Sequence, residues 1–158
     1  MQKETSFWLP AGHMKLPSSA PAAAAEYGHF HGLAFADSTA DDHAFGHWYI
    51  PRDADLSKQV AIYLHYHLPS GTISEGEWNC TAGKFKSGTA VAVGATALTD
   101  VKSTPLASAK VTLAGPFVVP ASLLEEDNIL TFDIGHDVTD AFGGTVGLLG
   151  VEIRYTRN

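Results

Sequence analysis

Val60-Ala61-Ile62-Tyr63-Leu64-His65-Tyr66-His67-Leu68 alternates without a break. Val60, Ile62, Leu64, Tyr66 and Leu68 fall on one side, and Ala61, Tyr63, His65 and His67 on the other. Side chains on a strand point to opposite faces at period two, so the stretch reads as a strand with one face in a core. The other face carries a ring at three of its four positions. Such a face suits a partner surface or a crowded interior better than bulk water. The stretch is expected as a central strand of a β-sandwich, with Tyr63, His65 and His67 as interface candidates.

Outward from it, short strand-like runs recur at roughly ten-residue spacing with turn signals between them. Gly32–Ala36 opens the series. His43–Ile50 follows and stops at Pro51. After the central strand come Glu75–Ala82 with Trp78 and Cys80 on one face, then Val91–Val93, then Ala109–Leu113 and Phe117–Val119 on either side of Gly115-Pro116. Lys84 to Gly88 reads as a loop or an edge, and Gly94–Val101 is ambiguous. Pro120–Asp127 reads as one helical turn, since proline suits a first turn. Asn128–Ile134 and Gly147–Tyr155 complete the set, the latter with Leu149, Val151, Ile153 and Tyr155 inward. No long helical period appears. The expectation is an all-β, jelly-roll β-sandwich of about eight strands spanning residues 29–158.

Residues 1–28 differ. Phe7-Trp8-Leu9-Pro10 is a short apolar anchor, followed by Pro17, Pro21 and four alanines at 22–25. Prolines so spaced disfavour helix and central strand alike. An extended N-terminal arm is expected, docking Phe7, Trp8 and Leu9 on its own domain or on a neighbouring subunit.

A chain of 158 residues is one domain's worth, and buries roughly two thirds of its unfolded surface. Its net charge is −7, and its ten Lys and Arg residues are scattered. Nucleic-acid binding through phosphates needs a concentrated positive face, so that class is set aside. No apolar run approaches the roughly 20 residues of a membrane span. The start shows no basic-then-apolar signal pattern, so synthesis and folding in a cytosol are expected. The single Cys80 excludes an intrachain disulfide and cysteine-rich metal sites.

Eight histidines raise a metal hypothesis. His65 and His67 share a strand face, and His29 and His31 repeat the spacing. Cupins use such an HxH pair with a glutamate within a few residues and a later histidine. Here Glu75 comes too late, and His136 reads as part of a Gly-Asp loop, so a cupin-like metal-dependent enzyme is disfavoured and no cofactor is expected. Asp37, Asp41 and Asp42, Glu125 to Asp127, and Asp133, Asp137 and Asp140 read as turn acids more readily than as a calcium site. Glu75 and Glu77 lie on one side of a strand with nothing opposing them, which does not suit paired-carboxylate glycoside hydrolysis. Cys80 reads as a small core residue. Trp48, Tyr49, Tyr63 and Trp78 are the candidate platforms if the sandwich is a glycan-binding module.

The pattern from residue 33 onward resembles a class of tailed-phage virion proteins. The matching parts are Leu33–Ala36, the strand ending in Tyr49-Ile50-Pro51, the alternating strand at 60–68, Val118–Leu124 with its acidic turn, Ile129–Ile134 and Leu148–Tyr155. Trp8-Leu9-Pro10-Ala11 also resembles the arm before such domains. Gly135-His136-Asp137 departs from it, where similar proteins tend to carry a basic residue. The resemblance implies a non-enzymatic jelly-roll structural protein of the virion. It would assemble as a homotrimer and contact the major capsid protein or another virion protein as a capsid decoration (cement) protein. The alternative within the same fold is a receptor- or glycan-binding appendage.

Overall fold

The computed structural model describes residues 2–19, 21–36, 42–69, 74–86, 95–106, 110–137 and 144–158. Eleven strands lie among them: β1 (Lys3–Pro10), β2 (Ala23–Tyr27), β3 (Phe30–Ala36), β4 (Asp42–Tyr49), β5 (Val60–His67), β6 (Gly76–Phe85), β7 (Thr96–Ala97), β8 (Val101–Ser103), β9 (Thr112–Val119), β10 (Ile129–His136) and β11 (Thr145–Arg157). Single 3-10 turns cover Ala11–His13 and Ala121–Leu123. The second is the helical turn expected after Pro120. Expected segments at 37–41 and 91–93, with Asp140, lie outside the described residues. Among the described residues, no helix is long and apolar enough to cross a membrane.

The strands form two antiparallel sheets of a jelly-roll β-sandwich. The larger runs β2-β3-β11-β5-β9, with β1 also on β11, and the smaller runs β4-β10-β6-β7, with β8 also on β6. β5 sits between β11 and β9. Val60, Ile62, Leu64, Tyr66 and Leu68 are buried to 1% exposure or less, while Tyr63, His65 and His67 are half-buried on the outer face. Each inward side chain of this size contributes about 1.5–3 kcal/mol by leaving water. The inner faces meet at Trp78, whose ring centroid lies 5.3 Å from both Phe35 and Tyr66. The buried Tyr66 hydroxyl is satisfied by Ser103 Oγ at 2.8 Å.

The N-terminal segment is woven into this sandwich. β1 pairs with β11 over its whole length, from Lys3 opposite Arg157 to Pro10 opposite Gly150. Phe7 and Leu9 pack on the core, and Trp8 points outward at 43% exposure. Lys15 and Phe45 then exchange both backbone hydrogen bonds, at 2.9 and 2.8 Å, along the edge of β4. Pro10 ends β1, and Pro17 and Pro21 fall outside the named strands, where a missing N–H does no harm.

Four local expectations are corrected. His136, expected in a loop, is the buried last residue of β10. Leu149 does not face the core. It is the extra residue of a β-bulge, since Leu148 opposes Tyr66 while Gly150 opposes His65. The bulge resets the alternation, so Leu148 is the core residue. Gly115-Pro116 does not separate two strands: β9 runs through it with a second bulge opposite Tyr63. Lys84 and Phe85 belong to strand β6, paired with Leu130 and Ile129.

Candidate functional site

The outer face of the larger sheet gathers four of the six residues singled out as interface candidates. Trp8 stands edge-on to His65 at 5.0 Å between ring centroids. His65 Nε2 lies 2.8 Å from Glu152 Oε2, and Arg154 binds the same carboxylate through Nε and Nη2, both at 3.0 Å. An ionised carboxylate only accepts, so His65 carries its proton on Nε2. The Arg154 guanidinium lies 4.1 Å from the Tyr63 ring centroid, a cation–π contact. Tyr63 also covers Gly115, whose φ of +142° is open to glycine and whose added Cβ would come within 2.7 Å of the ring. His67 stands edge-on to Tyr27 at 4.3 Å, and burial pushes its pKa down. The two remaining candidates, Phe7 and Leu9, lie on the opposite side of β1 against the core.

The two histidines of the HxH pair therefore engage different neighbours. Among the described residues, no three His, Cys, Asp or Glu side chains converge as metal ligands. The acidic turn is held by cations. Glu125 takes hydrogen bonds from Lys86, Lys84 and Asn128, which hold its carboxyl down at about 2. Arg52 and Tyr49 bind Asp127 and lower its pKa in the same way.

Of the four candidate platforms, Trp48 and Trp78 are core residues at 2% and 0% exposure. Tyr63 is covered by Arg154. Only Tyr49 presents an open ring, at 52% exposure.

The exposed rings lead instead to the smaller sheet. Its outer face holds a trough of about 730 Å³. Pairing registers lay out the outer face around the trough in rows across β4, β10 and β6, with Tyr49, His43, Gly135 and Asn79 beyond the trough's own lining. Tyr49, Ile129 and Phe85 form one row, and His47, Thr131 and Gly83 the next. Phe45, Asp133 and Thr81 form a third, extended by Lys15 outside β4. His43, Gly135 and Asn79 close the set, with the His43 and Asn79 side chains lying over Gly135. Phe45 is 38% exposed, so an aromatic ring opens onto a floor that also offers hydroxyl groups and a carboxylate. His43 Nδ1 sits 3.0 Å from Asp133 Oδ1. Burial raises the Asp133 pKa, and the nearby His43 partly offsets this.

Tyr49, as a ring platform, and Asp133, weighed as a turn acid or calcium ligand, stand out in the sequence, and the other residues of this face do not. The signal was present: in His43-Ala44-Phe45-Gly46-His47-Trp48-Tyr49, a buried Trp48 fixes the parity, and every odd position then places a ring outside.

No protein-family model matches the sequence, and neither does any curated protein. Solved structures share the fold. The CBM36-1 domain of a multidomain xylanase from the hindgut metagenome of Trinervitermes trinervoides is similar with a TM-score of 0.59 at 9% identity, over 94% of this chain and 96% of that domain. The isomalto-dextranase of Arthrobacter globiformis, solved with panose, has a TM-score of 0.57 at 16% identity. The similarity covers 94% of this chain but 23% of that one. The insecticidal delta-endotoxin Cry8Ea1 of Bacillus thuringiensis has a TM-score of 0.52 at 13% identity, over 87% of this chain and 22% of that one. Identities this low carry the fold alone.

Proposed function

We propose that this chain is a non-enzymatic binding module that holds a glycan in the trough of the smaller sheet. The observation that carries the reading is the opening of Phe45 beside Thr81, Thr131 and Asp133 in one concavity. A sugar has apolar C–H faces and a rim of hydroxyls. An aromatic ring takes the first, and fixed polar groups on rigid strands orient the second. The likeness to a xylanase's CBM36-1 domain supports the reading at the level of fold. Phe45→Ala removes the open ring without touching the core. It should weaken binding to a retained polysaccharide about tenfold, on the order of 1.4 kcal/mol, in affinity electrophoresis. Phe85→Ala, at the trough's other side, should act in the same direction. Retention unchanged in both variants rejects the site.

The capsid-decoration homotrimer is a second reading, favoured by the outer face of the larger sheet. Leu113 and Val118 of β9 are 43% and 48% exposed, on the sheet that also exposes Trp8. An apolar row of this kind on an open sheet face suits a subunit contact. Light scattering separates the possibilities. A trimer that dissociates when Leu113 and Val118 become serine supports virion assembly, and a monomer at micromolar concentration counts against it.

A further inference from the structure

The trough has a charge pattern that bears on which glycan it can accept. Asp133 stands on β10, the strand between β4 and β6, so it lies in the middle of the floor. Its side chain is only 27% exposed. Oδ1 is engaged by His43 at 3.0 Å, and no described residue is bonded to Oδ2. Lys15 is in the same row but at the rim, beyond Phe45, and is exposed. Solvent screens a rim charge more than a half-buried one. The chain as a whole carries a net charge of −7.

Resting on the glycan-binding reading, we infer that the trough takes an uncharged saccharide, and that Asp133 is the residue that sets this preference. An ionised carboxylate accepts hydrogen bonds and cannot donate them. A neutral sugar brings hydroxyl donors to Oδ2. A uronate or sulfate ester at that position brings a second negative charge into a partly desolvated site, where like charges repel far more strongly than in bulk water. Phe45, next to Asp133 in register, supplies a surface for the ring that bears those hydroxyls. His43 holds the carboxylate in place from the far row.

The test uses the full chain and two sets of soluble polymers. Xylan, mannan, dextran and mixed-linked β-glucan are the neutral probes. Polygalacturonate, alginate and heparin are the acidic ones. The expected result is retention by at least one neutral polymer and at least about tenfold weaker retention by every acidic one at low salt. Raising salt from roughly 20 mM to 500 mM should narrow that gap while leaving neutral binding nearly constant, which reads the charge without any substitution. Asp133→Asn, nearly isosteric, should weaken neutral binding about tenfold and reduce the rejection of acidic polymers. Acidic polymer bound as tightly as neutral polymer overturns the inference, as does an Asp133→Asn variant that binds both classes like the parent. In either case, loss of binding in Phe45→Ala would leave the glycan reading standing. No retention by any polymer of either class removes that reading and this inference with it.

Discussion

Glu152 is the residue through which the outer face of the larger sheet is organised. It takes hydrogen bonds from Arg154 first and His65 second, and together they hold its carboxyl near 2 against an ordinary value of 4.5. The folded pKa lies below the unfolded one. The stabilisation is therefore fully present above about pH 4.5 and is lost as pH falls through that window towards 2. With the Glu152 side chain only 16% exposed, the contribution is on the order of 2 kcal/mol. Glu152→Gln keeps the shape and removes the charge. Urea denaturation at pH 7 should show the variant less stable by about 1–2 kcal/mol. The difference should shrink as pH is lowered from about 4.5 towards 2. A difference that stays constant over that range would mean that the pair contributes through shape alone.

At the scale of elements, β1 and the bulges decide what alternation can and cannot reveal. On β1, Phe7 and Leu9 face the core while Trp8 faces out beside His65. Phe7→Ser or Leu9→Ser should each cost about 2 kcal/mol in denaturant unfolding, because a partly buried apolar group is lost from the core. Trp8→Ser should cost less than about 1 kcal/mol while changing the fluorescence of the face. Equal costs at all three positions would contradict this division of β1. The same period-two rule made β5 legible from its sequence, since no bulge interrupts the β5 chain itself. It failed on β11, where one extra residue at Leu149 inverts the parity of everything before it. It also failed at Gly115-Pro116, where turn-forming residues mark a bulge inside a continuous strand. A bulge is fixed by the partner strand's register, which no local window of sequence contains. The N-terminal segment was legible as extended and apolar-anchored. Its pairing with β11, from Pro10 opposite Gly150 to Lys3 opposite Arg157, was not.

The whole molecule presents two open sheet faces on opposite sides of one core, and they differ in character. The smaller sheet offers a concave floor with Phe45, Thr131 and Asp133. The larger sheet offers Trp8, Leu113 and Val118 around a carboxylate-centred network. Its ring-bearing strand was readable because Tyr63, His65 and His67 stand in one uninterrupted stretch. The trough was not, because its floor is assembled from three strands distant in sequence. Two faces separated by the full thickness of a sandwich, about 10 Å between sheets, should respond independently to substitution. Phe45→Ala should reduce polysaccharide retention and leave the solution mass unchanged. Leu113→Ser combined with Val118→Ser should leave retention unchanged within about twofold, whatever it does to the mass. The double set combining all three changes should show the sum of the separate effects. Retention that falls when only β9 is altered would mean that ligand binding needs an assembled oligomer. The trough of one chain would then be half of a site rather than the whole of it.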